Sequence, residues 1–178
     1  MTDLLDLPQG DLRLLGTELA QRLLAADLPA RLAFTAADGT PRVIPVNFWW
    51  NGTELVMAGF APSKRSRLLR TRPDVAITID TDGVPPEVLL IRGRAEVGEA
   101  DGLLPEYAAA MRKGGSEQVA EYLDFLSDLA PRMERIAVRP TWVGLMDFRT
   151  RYPERAPEWM KEPPAPAPHP AHEETTRP

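Results

Sequence analysis

Asp38-Gly39 and Asn51-Gly52 constrain this chain more than any other feature of its sequence. Both dipeptides favour the positive φ of a type I′ turn, whose twist matches that of two antiparallel strands. They separate three extended runs: Arg31-Leu32-Ala33-Phe34-Thr35, Arg42 to Trp50, and Glu54 to Phe60. The first half of the chain is therefore expected to open as an antiparallel meander.

Helical signals flank these runs. Leu12, Leu15, Leu19 and Leu23 recur at helical spacing and predict an amphipathic helix over residues 10–27. Beyond Phe60, Pro62 to Arg70 reads as one short helix closed by Pro73. Val75 to Asp80 reads as a strand, and Glu87 to Val97 as a longer one with Gly93 as a bulge or bend. Asp101 is expected to cap a helix over Leu103 to Arg112, which Gly114-Gly115 interrupts. A second helix would carry Val119, Tyr122, Leu126 and Leu129 on one face, and strands Arg135 to Arg139 and Trp142 to Phe148 would end the domain. The organisation expected is an N-terminal helical segment (1–27), one β-rich domain (28–150) and a tail (151–178). Pro163-Pro164-Ala165-Pro166-Ala167-Pro168 in that tail cannot build a core and should sample polyproline II.

Composition removes several function classes. Among 178 residues there is no cysteine, which excludes a disulfide framework, a thiolate metal site and a cysteine nucleophile. The only histidines, His169 and His172, lie in the proline-rich tail, so the domain has no imidazole base, haem ligand or Ser-His-Asp triad to offer. A net charge of −5 argues against nucleic acid as the main partner. No apolar run approaches the ~20 residues that span a bilayer, and the acidic start Met1-Thr2-Asp3 is no secretory signal. A soluble, cytoplasmic protein with no membrane partner is expected.

The segment with the most chemistry is Ser63-Lys64-Arg65-Ser66-Arg67, where a strand gives way to a helix. A helix N-terminus carries free N–H groups and about half a positive charge, so cations there are unfavourable by ~0.3–1 kcal/mol each. A bound phosphate would turn that conflict into a site. The alternative is a solvated basic turn, or a charge pair with one of the chain's carboxylates. Pro45 is the second oddity, because proline inside a strand belongs at an edge, a bulge or a place where something else meets the backbone. Trp49-Trp50 beside it suits a core or a dimer interface better than a stacking platform.

Taken in order, Arg42-Val43-Ile44-Pro45-Val46-Asn47, Ser63-Lys64-Arg65 and Arg72-Pro73-Asp74-Val75 resemble the pyridoxamine 5′-phosphate oxidase superfamily over residues 28–148. The resemblance implies a mainly β fold with α: a split β-barrel of six to seven antiparallel strands plus flanking helices. It also implies a homodimer with flavin mononucleotide (FMN), or deazaflavin F420, at the subunit interface. By position, Ser63, Lys64 and Arg65 would hold the phosphate with Arg42 assisting. Pro45, Val46 and Asn47 would lie along the isoalloxazine ring through their backbone.

Departures from that family's pattern bear on the substrate. Asn47 stands where the true oxidase has a lysine, and Val88 where it has a glutamine near the cofactor. The barrel ends Gly144-Leu145-Met146-Asp147-Phe148-Arg149-Thr150, without the histidine-containing segment that grips the vitamin phosphate. Pyridoxine phosphate oxidation is therefore not expected. The leading expectation is an oxidoreductase moving a hydride between FMN and a small organic molecule, chemistry that the cofactor carries. The alternatives are an F420-dependent reductase, a flavin carrier without turnover, and a barrel anchoring an adaptor tail.

Overall fold

The structure is a computed structural model that describes residues 6–129 and 132–161. Both predicted reversals are present, but neither is a two-residue type I′ turn. Strands β1 (Ala30–Thr35) and β2 (Pro41–Val46) pair from Ala30↔Val46 to Thr35↔Pro41. Gly39 alone in their loop has positive φ, at 81°. The Asp38 carboxylate accepts hydrogen bonds from the Thr40 amide (3.0 Å) and hydroxyl (2.6 Å). In the second loop the Asn51 side chain accepts from the amides of Thr53 and Glu54, while Gly52 takes φ 98°. The short polar side chain of Asp or Asn shapes each loop, and the glycine supplies the one left-handed step.

The expected meander is corrected by the sheet order, which is β2-β1-β5-β6-β7-β4-β3. The run from Arg42 to Trp50 breaks at Asn47-Phe48 into β2 and the short β3 (Trp49–Trp50). β3 pairs instead with β4 (Leu55–Phe60). β2 and β3 thus lie at opposite edges of a seven-stranded antiparallel sheet, yet only two residues join them. Four consecutive Cα atoms span at most about 11 Å, so the sheet must roll up until its edges nearly meet. They do not pair, and the result is an open, split β-barrel. Phe48, 1% exposed, is buried at the junction.

Three long strands form the middle of the sheet: β5 (Asp74–Asp80), β6 (Val88–Asp101) and β7 (Arg132–Met146). The two strands expected over 135–148 are one. Pro140 does not end β7, because the register shifts there: Gly93 faces Pro140 while Arg92 faces Trp142. That bulge accommodates a residue with no N–H to donate. Gly93 is required by close approach, since an added Cβ would lie 2.8 Å from Val138 Cγ1 and 3.1 Å from the Arg139 carbonyl carbon.

The helices depart from expectation in three places. Residues 10–27 form a 3-10 turn (Leu12–Gly16) and α1 (Glu18–Ala25), divided by Thr17, whose hydroxyl caps Ala20 N. Leu14, Ala20, Leu23 and Leu24 are the buried positions, and Leu12 is left exposed. Asp101 ends β6 rather than capping α3 (Pro105–Met111), which begins after Leu104 with proline in its first turn. Helix α4 (Gln118–Asp128) buries Leu123 and Leu126 while Tyr122, Phe125 and Leu129 face outward. By contrast, α2 (Lys64–Thr71) lies where the sequence places it. Helix α5 (Glu158–Lys161) is a single turn.

The core is the inside of the roll: Leu32, Leu55, Met57, Ile77, Ile79, Leu89, Ile91, Ile136, Val138 and Val143, closed by Leu14, Leu23 and Leu24. Among the described residues no helix is long and apolar enough to cross a membrane. The prolines of 163–168 and both histidines lie outside the described residues.

Candidate functional site

Helix α2 starts where β4 leaves the barrel, and its first turn is built from Ser63, Lys64, Arg65 and Ser66. Ser63 is the N-cap: its hydroxyl accepts from Ser66 N at 3.0 Å and donates to Ser66 Oγ at 2.9 Å. This is the usual means of satisfying an orphan helix donor, worth ~1 kcal/mol. Ser66 is fully buried.

Sequence reasoning missed a fifth member, Glu134 of β7, which is 2% exposed. Its Oε2 accepts from Ser63 N at 3.2 Å. Burial pushes the Glu134 carboxyl up. Hydrogen bonds from the Ser66 side chain and the Ser63 amide, with help from the Arg70 charge, outweigh that and hold it below the usual glutamate range. A carboxylate from a distant strand therefore already faces the positive end of α2.

The cations differ in their circumstances. Lys64 is exposed, and no hydrogen bond or ion pair is recorded for it among the described residues. Arg65 lies across Gly59, where an added Cβ would sit 3.0 Å from its Nη2. Its Nε is buried with no hydrogen-bond partner. Burial pulls the guanidinium down from its usual range, and the charge of Glu134 partly restores it. Most other arginines of the barrel are engaged; Arg70, for example, donates to Glu99 at 2.9 Å and Arg135 to Glu106 at 2.8 Å. A buried donor left unmet costs ~1–3 kcal/mol, and a native structure retains one where something else fills the role.

The other expected residues lie on β2 and just after it. β2 is an edge strand, so Pro45, opposite Arg31, sits where a missing N–H is tolerated. Arg42 is exposed and pairs with Asp38 at 3.0 Å while also donating to the Thr40 hydroxyl. Among the described residues its hydrogen bonds and ion pair stay within its own loop. Val46 is half-buried opposite Ala30. The Asn47 side-chain amide donates to Met111 Sδ at 3.1 Å, so the end of α3 rests against this segment. Next to it, Lys113 Nζ lies 3.6 Å above the Phe48 ring and donates to Leu24 O at 2.8 Å. Burial draws the Lys113 ammonium down to about 8, Asp27 opposing. Neither Met111 nor Lys113 carries a motif that could have signalled this placement.

Trp50 lines a 630 Å³ depression with Leu12, Leu15, Arg139 and Pro140, away from α2. Among the described residues no group of three or more His, Cys, Asp or Glu could hold a metal ion.

The class of fold is thus an open split barrel with a cation-rich helix start beside a strand exit. A family model for pyridoxamine 5′-phosphate oxidase matches residues 17–122. The chain belongs to that family. Solved structures share the fold. A conserved hypothetical protein from Mycobacterium tuberculosis is 15% identical, with 75% of this chain and 86% of that one covered and a TM-score of 0.58. General Stress Protein 26 from Bacillus anthracis is 16% identical, covering 73% and 92%, with a TM-score of 0.54. The haem storage protein HutZ from Vibrio cholerae is 21% identical, covering 70% and 90%, with a TM-score of 0.52. No curated protein matches the chain significantly.

Proposed function

We propose that this chain binds a phosphate-bearing flavin-type cofactor, FMN or F420, and works as an oxidoreductase on a small organic molecule. The observation that carries the reading is the start of α2: two adjacent cations for which, among the described residues, no hydrogen bond or ion pair is seen, one with a buried, unmet Nε–H and only the nearby charge of Glu134 to balance it. A phosphate there meets that donor and relieves the unfavourable placement of cations at a helix N-terminus. Lys64 and Arg65 hold the phosphate, Ser63 shapes the turn, and Pro45, Val46 and Asn47 flank the ring. Arg42 would assist only after leaving Asp38. When bound, such a cofactor supplies the hydride chemistry, and the chain's own task is to bind, orient and exclude water.

A twofold homodimer is part of this proposal. Val43 on the edge strand is 63% exposed, and it borders an outer sheet face with Ala33, Ala76 and Val88. An isologous contact would cover that face. Sedimentation at micromolar concentration should give the dimer mass, and a monomer alone would sink it.

Titration of stripped protein with FMN, followed by flavin fluorescence, tests the cofactor site. Charge-assisted contacts are worth ~1.5–3 kcal/mol each, so Lys64→Gln with Arg65→Gln should weaken affinity about a hundredfold or more. The melting temperature of the stripped double variant should stay close to wild type. Unchanged affinity would return residues 63–67 to an ordinary basic turn. Turnover with a reductant would separate an enzyme from a carrier.

A further inference from the structure

We infer that the depression beside Trp50 is a docking groove for the chain's own proline-rich stretch, Pro163-Pro164-Ala165-Pro166-Ala167-Pro168, which lies outside the described residues.

The groove has the chemistry for that occupant. Leu12 is 47% exposed, and with Leu15, Trp50 and Pro140 it makes an apolar wall around a volume of 630 Å³. Arg139 is the one charged residue among those lining it, and Glu54 pairs with it at 3.1 Å. The Gln21 side-chain amide is spent on Leu15 O at 2.6 Å. The wall therefore leaves no unpaired charge to anchor an ionic ligand, and residues 163–168 carry no charge either. Aromatic-lined grooves take proline-rich segments because a preformed polyproline II helix loses little entropy on docking. Such a helix has no internal hydrogen bonds, so its carbonyls need outside donors. The Trp50 indole N–H is a donor with no hydrogen-bond partner among the described residues.

The described chain also stops where the groove can be reached. Lys161 lines a cleft with Leu7, Pro8 and Gln9. Leu7 O accepts from Arg151 Nη2 at 2.7 Å, and Gln9 Nε2 donates to Tyr152 O at 3.2 Å, so the C-terminal segment already lies along the N-terminal one. From there the N-terminal segment passes Trp142 at Gly10 and enters the groove wall at Leu12. Leu7 and Leu12 are separated by at most about 18 Å of chain. Residues 162–168 span about 22 Å as polyproline II. Following the N-terminal segment, the prolines arrive at the indole without crossing the barrel. Docked there, they are withheld from any other protein that reads proline-rich segments.

The absence of cysteine from the chain makes the placement measurable. Ala167→Cys, made in the full chain and carrying a nitroxide, puts a single radical on the stretch while keeping every proline. The Trp50 indole signal is the one of four that Trp50→Phe removes from the nitrogen–proton NMR spectrum. With the label active, that signal and the amides of Leu12 and Gly16 should lose most of their intensity, and reducing the label should restore it. Pro163→Ser, Pro164→Ser, Pro166→Ser and Pro168→Ser, made together in the labelled chain, should restore it too. Full intensity at Trp50 in the labelled chain overturns the inference. So does a loss that survives the four serines, because a tethered label sweeping past needs no docking. Mixing isotope-labelled chain that has no nitroxide with nitroxide-bearing chain that has no isotope separates the copies. A loss in that mixture would put a second copy's tail in the groove and overturn docking within one chain. None of these readouts involves FMN or F420, so the outcome is independent of the cofactor reading.

Discussion

Gly93→Ala is the change that most directly tests how β6 and β7 are joined. The new methyl would point at the neighbouring backbone: Arg139 O lies closer than any real Cβ tolerates, with Val138 Cγ1 at 2.8 Å and the Arg139 carbonyl carbon at 3.1 Å. Backbone cannot rotate aside as a side-chain tip can, so the strands must separate at the bulge opposite Pro140. Overpacking of this kind costs ~1–3 kcal/mol, and the reduced freedom of the unfolded chain returns ~0.4–1 kcal/mol. A net loss of ~1–2 kcal/mol corresponds to a melting temperature lower by about 2–8 °C for a chain of this size. Gly114→Ala is the matched control. Its methyl would also collide, but with the Asp27 carboxylate, the end of an exposed side chain that can move. Its cost should stay below ~1 kcal/mol. Calorimetry and urea unfolding of both variants decide the matter. Equal stability losses, or a Gly93→Ala protein melting within about 2 °C of wild type, would refute the claim that backbone approach fixes the bulge.

Two further outcomes follow from charges held in unusual surroundings. Asp147 accepts from the amides of Arg149, Thr150 and Arg151 at 2.8–2.9 Å, which, with Thr150 Oγ1 and against the opposing effect of burial, holds its carboxyl at about 2. Its stabilisation is therefore present above about pH 4 and lost as pH falls towards 2. After discounting for solvent, Asp147→Asn should cost ~1 kcal/mol at pH 7, a gap that closes in acid urea titrations. Lys113 is held neutral more readily than in the unfolded chain, so the wild type should gain ~1 kcal/mol over Lys113→Met between about pH 8 and 10.5. A flat difference across that interval would show that its ammonium is not desolvated.

Which parts of this fold a reader could take from the sequence depends on the range of the interaction that fixes them. The two hairpins and α2 are local: Asp38, Asn51 and Ser63 each bond amides within three residues of themselves. Their types sit plainly in the sequence. Pro140 misleads because its tolerance comes from Gly93, 47 positions away and visible only once β6 lies beside β7. The leucines of 12–23 mislead for a similar reason. Their spacing suits one continuous helix, but Thr17 caps a fresh start, and packing then selects Leu14 and Leu24 instead of Leu12.

The candidate site divides along the same line. The conflict of Lys64 and Arg65 with the dipole of α2 is a local matter of charge and helix direction, legible in the sequence as an anion site, a solvated basic turn or a charge pair with a carboxylate. Glu134 could not be found that way. It is one of 26 acidic residues in the chain, and in the sequence it sits between Met133 and Arg135 as an unremarkable strand residue. Only the pairing of Gly59 with Glu134 brings it beneath the helix start, 71 positions from Ser63. Cations next to one another in sequence announce that an anion is welcome. The carboxylate beneath them comes from a partner across the sheet, so it is a property of strand register and not of the motif.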